Sequence, residues 1–271
     1  MNSSAPPFSA VILAADRAAN DPVAQASSVS CKALTPVAGR AMVLRVLDAL
    51  DGAREVGTRI VCGPEKSSVA QSTELQELVD TGQIQWAAPR ATPSSSTFSV
   101  LSALPENAPV LVTTADHALL SAEMIDYFCA AARASRCDVV AGVARHDLIT
   151  ATFPKALRTV TRLRDGGFCG CNLFAFLTPR ARLAADFWRQ VEQERKKPLR
   201  IVKVMGWTTV LRYLLGRLTL DQALAKLSKR MNLKVGAVQM PFAEAAVDVD
   251  KVDDLILVES VLGARKSNDL L

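Results

Sequence analysis

Short apolar runs alternate with stretches of helical spacing along this chain, and no other feature narrows its fold as far. Apolar runs at residues 8–14, 58–62, 84–86, 109–113 and 138–143 each lead into a loop or an amphipathic segment. A loop after the first run continues to Pro36, and a helix is predicted to start near Arg40, with Val43, Val46, Leu47 and Leu50 on one face. Further helices are predicted over residues 72–79, 98–104 and 122–134, the second opened by a turn from Pro93 to Thr97. This repeat predicts an α/β protein: a three-layer α/β/α sandwich with a mostly parallel, Rossmann-like sheet. Residues 145–185 read as an irregular stretch containing Asp165-Gly166-Gly167 and an apolar run at 173–177. From about residue 186 to 233 the pattern is helical, with Thr219 and Gln222 at capping-box spacing. Strands at 235–240 and through Asp248 then return the chain to the sheet. No internal repeat or low-complexity linker interrupts the 271 residues. The expected organisation is one domain over 1–271 with a basic helical insertion at about 186–234.

The apolar run at 109–112 leads straight to a carboxylate, Asp116, followed by His117 and a helix start at Ser121. Ligands of open α/β sheets bind beyond the carboxyl ends of the strands. A carboxylate there is placed to hold a hard cation such as Mg²⁺ against substrate phosphates. A second acidic set closes the chain, Asp248-Val249-Asp250-Lys251-Val252-Asp253-Asp254. In a strand Asp248 and Asp250 face one way while Val247 and Val249 face the core. Asp250 is the candidate second metal contact and Asp248 a third, whereas Asp253 and Asp254 read as structural acids in the first turn of a terminal helix. His117 reads as a packed or hydrogen-bonded residue rather than an acid–base group.

Several classes drop out. Cys169-Gly170-Cys171 is not zinc spacing, and two histidines cannot complete a Cys/His site. The six cysteines are therefore expected to be free, mostly buried thiols. G-x-S-x-G, Walker A and G-x-G-x-x-G patterns are absent. No signal peptide or membrane span is evident, which predicts a soluble, cytoplasmic protein. The net charge of +5 is unevenly spread: residues 195–235 hold eleven Lys or Arg and one acid, Asp221. Such a window suits a phosphorylated acceptor or an anionic lipid surface. It lacks a nucleic-acid-binding module, so no nucleic-acid partner is expected.

The segment Leu13-Ala14-Ala15-Asp16-Arg17 leads to Cys31-Lys32-Ala33-Leu34-Thr35-Pro36-Val37-Ala38-Gly39-Arg40. With Asp116 and the terminal acidic run, this resembles the nucleotidyltransferases related to molybdenum cofactor guanylyltransferase, MobA-like enzymes of the glycosyltransferase-A type. Their opening pattern is roughly L-A-G-G-x-x-x-R-M, then K-x-L-x-x-v-x-G, an aspartate after a strand, and a terminal D-x-D-t-p-x-D-L. These elements occur here in order over about residues 8–258. The resemblance implies that Arg17 and Lys32 are catalytic cations on the nucleotide phosphates. It places Leu13, Ala14, Ala15, Ser94, Ser95, Ser96 and Asp116 at the nucleotide, and Asp116 and Asp250 on Mg²⁺, with Asp248 as the weaker third metal ligand. Asn172 resembles a position near the acceptor, and Arg195, Lys196 and Lys197 of the basic window are the further acceptor-binding candidates. One departure stands out: Ala15-Asp16 replaces the family's Gly-Gly, whose glycines let backbone N–H groups approach phosphates. Asp16 either turns outward, contacts a ribose or base, or marks lost activity.

The implied reaction transfers a nucleoside monophosphate from an NTP to a phosphorylated alcohol, sugar or lipid head group and releases pyrophosphate. CTP is the favoured nucleotide and GTP the alternative, the latter including a molybdenum cofactor guanylyltransferase. A glycosyltransferase would carry an acid pair where Ala115-Asp116-His117 offers one. A catalytically weak nucleotide-binding regulatory module is the reading from a different class, prompted by the missing glycines.

Overall fold

A computed structural model describes residues 5–16, 20–194 and 206–268. Strand β1 (Phe8–Leu13) lies near the middle of an eight-stranded sheet, hydrogen-bonded in parallel to β4 (Val56–Cys62) and β6 (Val110–Thr114). Its side chains alternate between two cores. Phe8, Ala10 and Ile12 pack with α2 (Met42–Asp51) and α6 (Ala122–Ala134) on one face. Val11 packs with α5 (Pro93–Ala103) and α8 (Arg182–Glu194) on the other. Burial on both sides explains why β1 and β6 read as continuous apolar runs rather than as an alternating pattern. The result is the expected three-layer α/β/α architecture.

Across the sheet the order is β10 (Val235–Met240), β7 (Val139–Arg145), β9 (Gly166–Phe176), β6, β1, β4, β5 (Gln85–Ala87). Only β9 is reversed: it runs antiparallel to β6, β7 and the short β8 (Thr161–Leu163). Residues 145–185 are thus not irregular. They hold α7 (His146–Thr152), the β8–β9 hairpin and a central strand of the sheet. β9 escapes a propensity reading because Gly166, Gly167, Gly170 and Asn172 are poor strand formers, and only tertiary pairing on both edges overrides them.

Three further expectations shift. α5 starts at Pro93, not Phe98, because Pro at the first helical position and Thr92 as N-cap are themselves start signals. The Asp248 segment is not a ladder strand: Val247 and Val249 are buried, but the backbone contact to the sheet's end is the single bond from Val249 N to the Asp116 carbonyl, 3.0 Å. Its alternation reflects a loop pressed onto the core. Before α2 sits a hairpin, β2 (Pro36–Val37) and β3 (Arg40–Ala41), whose two turn residues, Ala38 and Gly39, have φ of 47° and 82°. Two positive φ values are the pattern of a type I′ turn, so Ala38 takes a conformation that disfavours a Cβ.

The helical stretch expected from about residue 186 contains α8, which packs into the core layer beside α5, and then α9 (Trp207–Leu214) and α10 (Leu220–Met231), the last with the Thr219–Gln222 capping box. The last helix, α11, spans Val252–Asn268 with Asp253 and Asp254 in its first turn. All six cysteines are free, and five of them are buried. No helix among the described residues is long and apolar enough to cross a membrane.

Candidate active site

The site lies along the carboxyl edge of the parallel strands. β1, β4 and β6 end level: Leu13 stands opposite both Cys62 and Thr114. The bonds from Ala14 N to the Cys62 carbonyl, 2.9 Å, and from Ala115 N to the Leu13 carbonyl, 3.0 Å, tie the departing loops together. The chain leaves β4 through Gly63, at φ 79°, directly against Ala15. A Cβ on Gly63 would fall 2.9 Å from the Ala15 Cβ and 3.0 Å from its nitrogen. Here, then, a glycine permits close approach from the neighbouring strand and not from the first loop itself.

Asp16 points inward to the chain. Its carboxylate accepts both hydrogen bonds of a fork from the Lys32 backbone N–H, at 3.0 and 3.2 Å. Burial raises its pKa, and that backbone bond opposes the rise. Asp16 therefore closes the loop between β1 and Lys32, and the residue that departs from the family pattern fixes the backbone of Lys32.

Lys32 opens a 3-10 turn (Lys32–Leu34) and reaches across the site. Its ammonium lies 2.7 Å from Asp116 Oδ2 and 3.1 Å from Asp250 Oδ1. Burial works against charge on both Lys32 and Asp116, but their pairing prevails: the lysine pKa is raised and the Asp116 carboxyl lies below its usual range. The other Asp116 oxygen, Oδ1, is buried and has no hydrogen-bond partner of good geometry. Ligand atoms of Asp116, Asp248 and Asp250 all lie within 4.8 Å of one another. A buried carboxylate oxygen without a donor, inside a set of hard oxygen ligands, fits a divalent cation such as Mg²⁺.

Asp248 is held from behind. Asn172, on β9 at φ 49°, donates to its Oδ2 at 2.9 Å. Arg158 Nη1 donates to its Oδ1 at 2.6 Å and its carbonyl at 2.9 Å, while Nη2 reaches Asp254 Oδ1 at 3.0 Å. Burial first, and then the Asp250 and Asp116 carboxylates, push the Asp248 pKa up to about 6, with Arg158 opposing. Asp254 also accepts from the N–H groups of Asp250 and Lys251, both at 3.1 Å. Sequence reasoning assigned Asp254 a structural part, and that is what these bonds describe. It missed Arg158, whose only signal is a lone cation in a segment without periodicity.

His117 is 1% exposed, and neither ring nitrogen has a hydrogen-bond partner of good geometry. Burial lowers its pKa to about 4, so it is a neutral, packed residue. Ser94, Ser95 and Ser96 form the first turn of α5. Ser94 Oγ donates to Glu192 of α8, and its N–H reaches the same carboxylate at 3.3 Å. Thr92 Oγ1 donates to Ser95 Oγ at 3.0 Å, and Ser96 Oγ accepts from Arg90 N at 2.8 Å. These serines follow β5 on the same sheet edge as Leu13–Ala15, yet their hydroxyls are engaged within the protein. Arg17, Arg195, Lys196 and Lys197 lie outside the described residues.

A mixed α/β sheet with a lysine–carboxylate cluster beyond its first and sixth strands is an arrangement that suits a nucleotidyltransferase. The family model of the MobA-like NTP transferase domain matches residues 10–233, and the chain belongs to that family. A hypothetical transferase from Thermus thermophilus superposes with a TM-score of 0.76 at 29% identity, covering 92% of this chain and 99% of the other. Two more distant structures share the fold. One is a 4-diphosphocytidyl-2C-methyl-D-erythritol synthase from Anaerococcus prevotii, with a TM-score of 0.60 and 16% identity over 96% and 97% of the two chains. The other is a CMP:2-keto-3-deoxy-manno-octonic acid synthetase complexed with CTP, with a TM-score of 0.57 and 11% identity over 96% and 99%. No curated protein matches the chain.

Proposed function

We propose that the chain transfers a cytidine monophosphate group from CTP to a phosphorylated acceptor, as one catalytic unit. The observation that carries this reading is the Lys32–Asp116–Asp250 cluster with its orphaned Asp116 oxygen. An acceptor phosphate oxygen attacks the α-phosphorus, and the bond to the bridging oxygen of the β-phosphate breaks. Pyrophosphate leaves with that electron pair. Lys32 exchanges its carboxylate partners for triphosphate oxygens and stabilises the charge that develops on them, an electrostatic contribution of the kind that dominates such chemistry. Asp116, Asp250 and Asp248 are the residues to hold Mg²⁺, which when bound neutralises phosphate charge. Arg158 and Asn172 fix the Asp248 carboxylate for that purpose. CTP is preferred over GTP because the two distant neighbours named above are a cytidylyl enzyme and a CMP-transferring enzyme bound to CTP.

Pyrophosphate release from each of four NTPs, over a panel of phosphorylated alcohols and sugars, tests the reading. Release with CTP should exceed that with GTP, and Asp116→Asn should reduce it at least 100-fold with an unchanged circular dichroism spectrum. Activity surviving in Asp116→Asn, or in excess chelator, would sink the assignment.

The reading also includes a peripheral membrane contact, because of α9. Trp207, Leu211, Leu214 and Leu215 share one helical face and are exposed, with Arg212 and Arg217 exposed beside them. An apolar ridge edged by cations suits the surface of an anionic bilayer. Sedimentation with phosphatidylglycerol vesicles should carry the protein down, and Trp207→Ser with Leu214→Ser should leave it in solution. Equal sedimentation of both forms would remove the membrane from the reading.

A further inference from the structure

Beside the acid cluster is a cleft of about 470 Å³, between residues 155–157 and the first turns of α11. It shares Lys251 and Asp254 with the segment that presents Asp250. Asp254 is neutralised there by Arg158. Two other cations line the cleft, Lys155 and Lys251, and neither has an ion-pair partner among the described residues. Asp253 is the remaining acid. Each wall also presents an aliphatic side chain: Leu157, two residues from Lys155, is 75% exposed and Ile256 of α11 60%, an unusual outlay of large aliphatic surface next to a charged site. No aromatic residue lines the cleft, so it offers no stacking platform for a sugar ring.

We propose that this cleft receives the acceptor, and that the acceptor is a phosphorylated alcohol with a short carbon chain. The phosphate end is drawn by Lys251 and Lys155 to the side where Asp250 stands, where it meets the nucleotide. The carbon chain lies on Leu157 and Ile256, and Asp253 accepts a hydroxyl. The inference rests on the nucleotidyltransferase reading only for its name as an acceptor site. The cleft's preference for an alkyl phosphate is a property of the free protein.

The test is therefore made without nucleotide, by calorimetric or NMR titration of the full chain with inorganic phosphate, methyl phosphate and butyl phosphate. Burial of a methylene group strengthens binding by up to about fourfold. Butyl phosphate should bind at least tenfold more tightly than methyl phosphate. Lys155→Ala with Lys251→Ala should weaken all three ligands at least fivefold. Leu157→Ser with Ile256→Ser should leave inorganic phosphate unchanged and abolish the gain from methyl to butyl. All four side chains are at the surface, and unchanged thermal unfolding of the variants separates lost binding from lost fold. Binding indifferent to chain length, or unaltered by the double lysine change, overturns the proposal. Because pyrophosphate release is a separate measurement, a protein that binds butyl phosphate as described but turns over no NTP refutes the reaction and not the cleft. Turnover with an alkyl phosphate whose KM ignores the lysine changes does the reverse.

Discussion

Lys32 is the residue whose removal separates stability, metal binding and catalysis most cleanly. Its side chain is 15% exposed and Asp116 is 18% exposed, with 2.7 Å between the charges. At an effective dielectric of 20 that contact is worth roughly 6 kcal/mol before desolvation, and the burial of both groups cancels much of it. Asp250 is 63% exposed, so its 3.1 Å contact is screened and adds under about 1 kcal/mol. Lys32→Met keeps the bulk of the stem and deletes the charge. Asp116 is then left with both oxygens unpaired among three carboxylates, at a net cost of about 2–4 kcal/mol. For a chain of this size the unfolding midpoint should fall by roughly 5–10 °C in EDTA. Mg²⁺ at a hundred times its Kd should then return about 2.7 kcal/mol. The wild-type protein should gain less, because there the incoming ion competes with the ammonium for the same oxygens. Turnover reads the other half: kcat/KM should stay at least 100-fold down even where Mg²⁺ has restored the midpoint. Thermal unfolding with and without Mg²⁺, beside pyrophosphate release, makes the comparison. A midpoint unmoved by Lys32→Met, or a loss that Mg²⁺ repairs no better than in wild type, refutes the electrostatic reasoning.

Two further expectations concern the support of the site. Arg158→Met should cost about 3–5 kcal/mol in urea unfolding, since it strands Asp254 and Asp248 in a buried setting. Adding Asp254→Asn should recover part of that loss, and strict additivity of the two changes would contradict the pairing. Ala38→Asn should raise stability by about 0.5–1 kcal/mol, because asparagine tolerates the positive φ that alanine occupies in the hairpin turn. A destabilised Ala38→Asn protein would mean that the turn is held by something other than its own backbone preference.

The parallel half of the sheet was legible in the sequence because each strand is flanked by helices on both sides and announces itself as an apolar run. α6 and β10 have the bounds that their patterns predict. β9 was not legible, since its identity comes from non-local partners, β7 more than twenty residues away and β6 more than sixty, and its own composition argues for a loop. Within the site, Lys32, Asp116 and Asp250 carry a chemical reason to meet, and they do meet. Asp248, by sequence the weaker third metal ligand, is the most elaborately held, by Asn172 and Arg158. That hold was invisible because it depends on where β9 and the segment before β8 meet the Asp248 loop, which no local spacing records. From sequence alone Asp16 departs from the family's glycine with no visible partner. Its partner is a backbone N–H, a group that sequence alone never advertises.

The place of β9 has a consequence for how the chain must assemble. β6 and β7 are successive strands joined by α6, yet they do not pair with each other. They stand one strand apart and leave a slot. Until residues 166–176 have been synthesised, both of its sides are open rows of backbone donors and acceptors, each ready to recruit a strand from another molecule. During translation, the first 145 residues can form β1, β4, β5 and β6 in their final arrangement while the slot persists. The antiparallel strand that completes the sheet is thus also the latch on its aggregation hazard, and a nascent chain stalled just short of it would expose two edges at once.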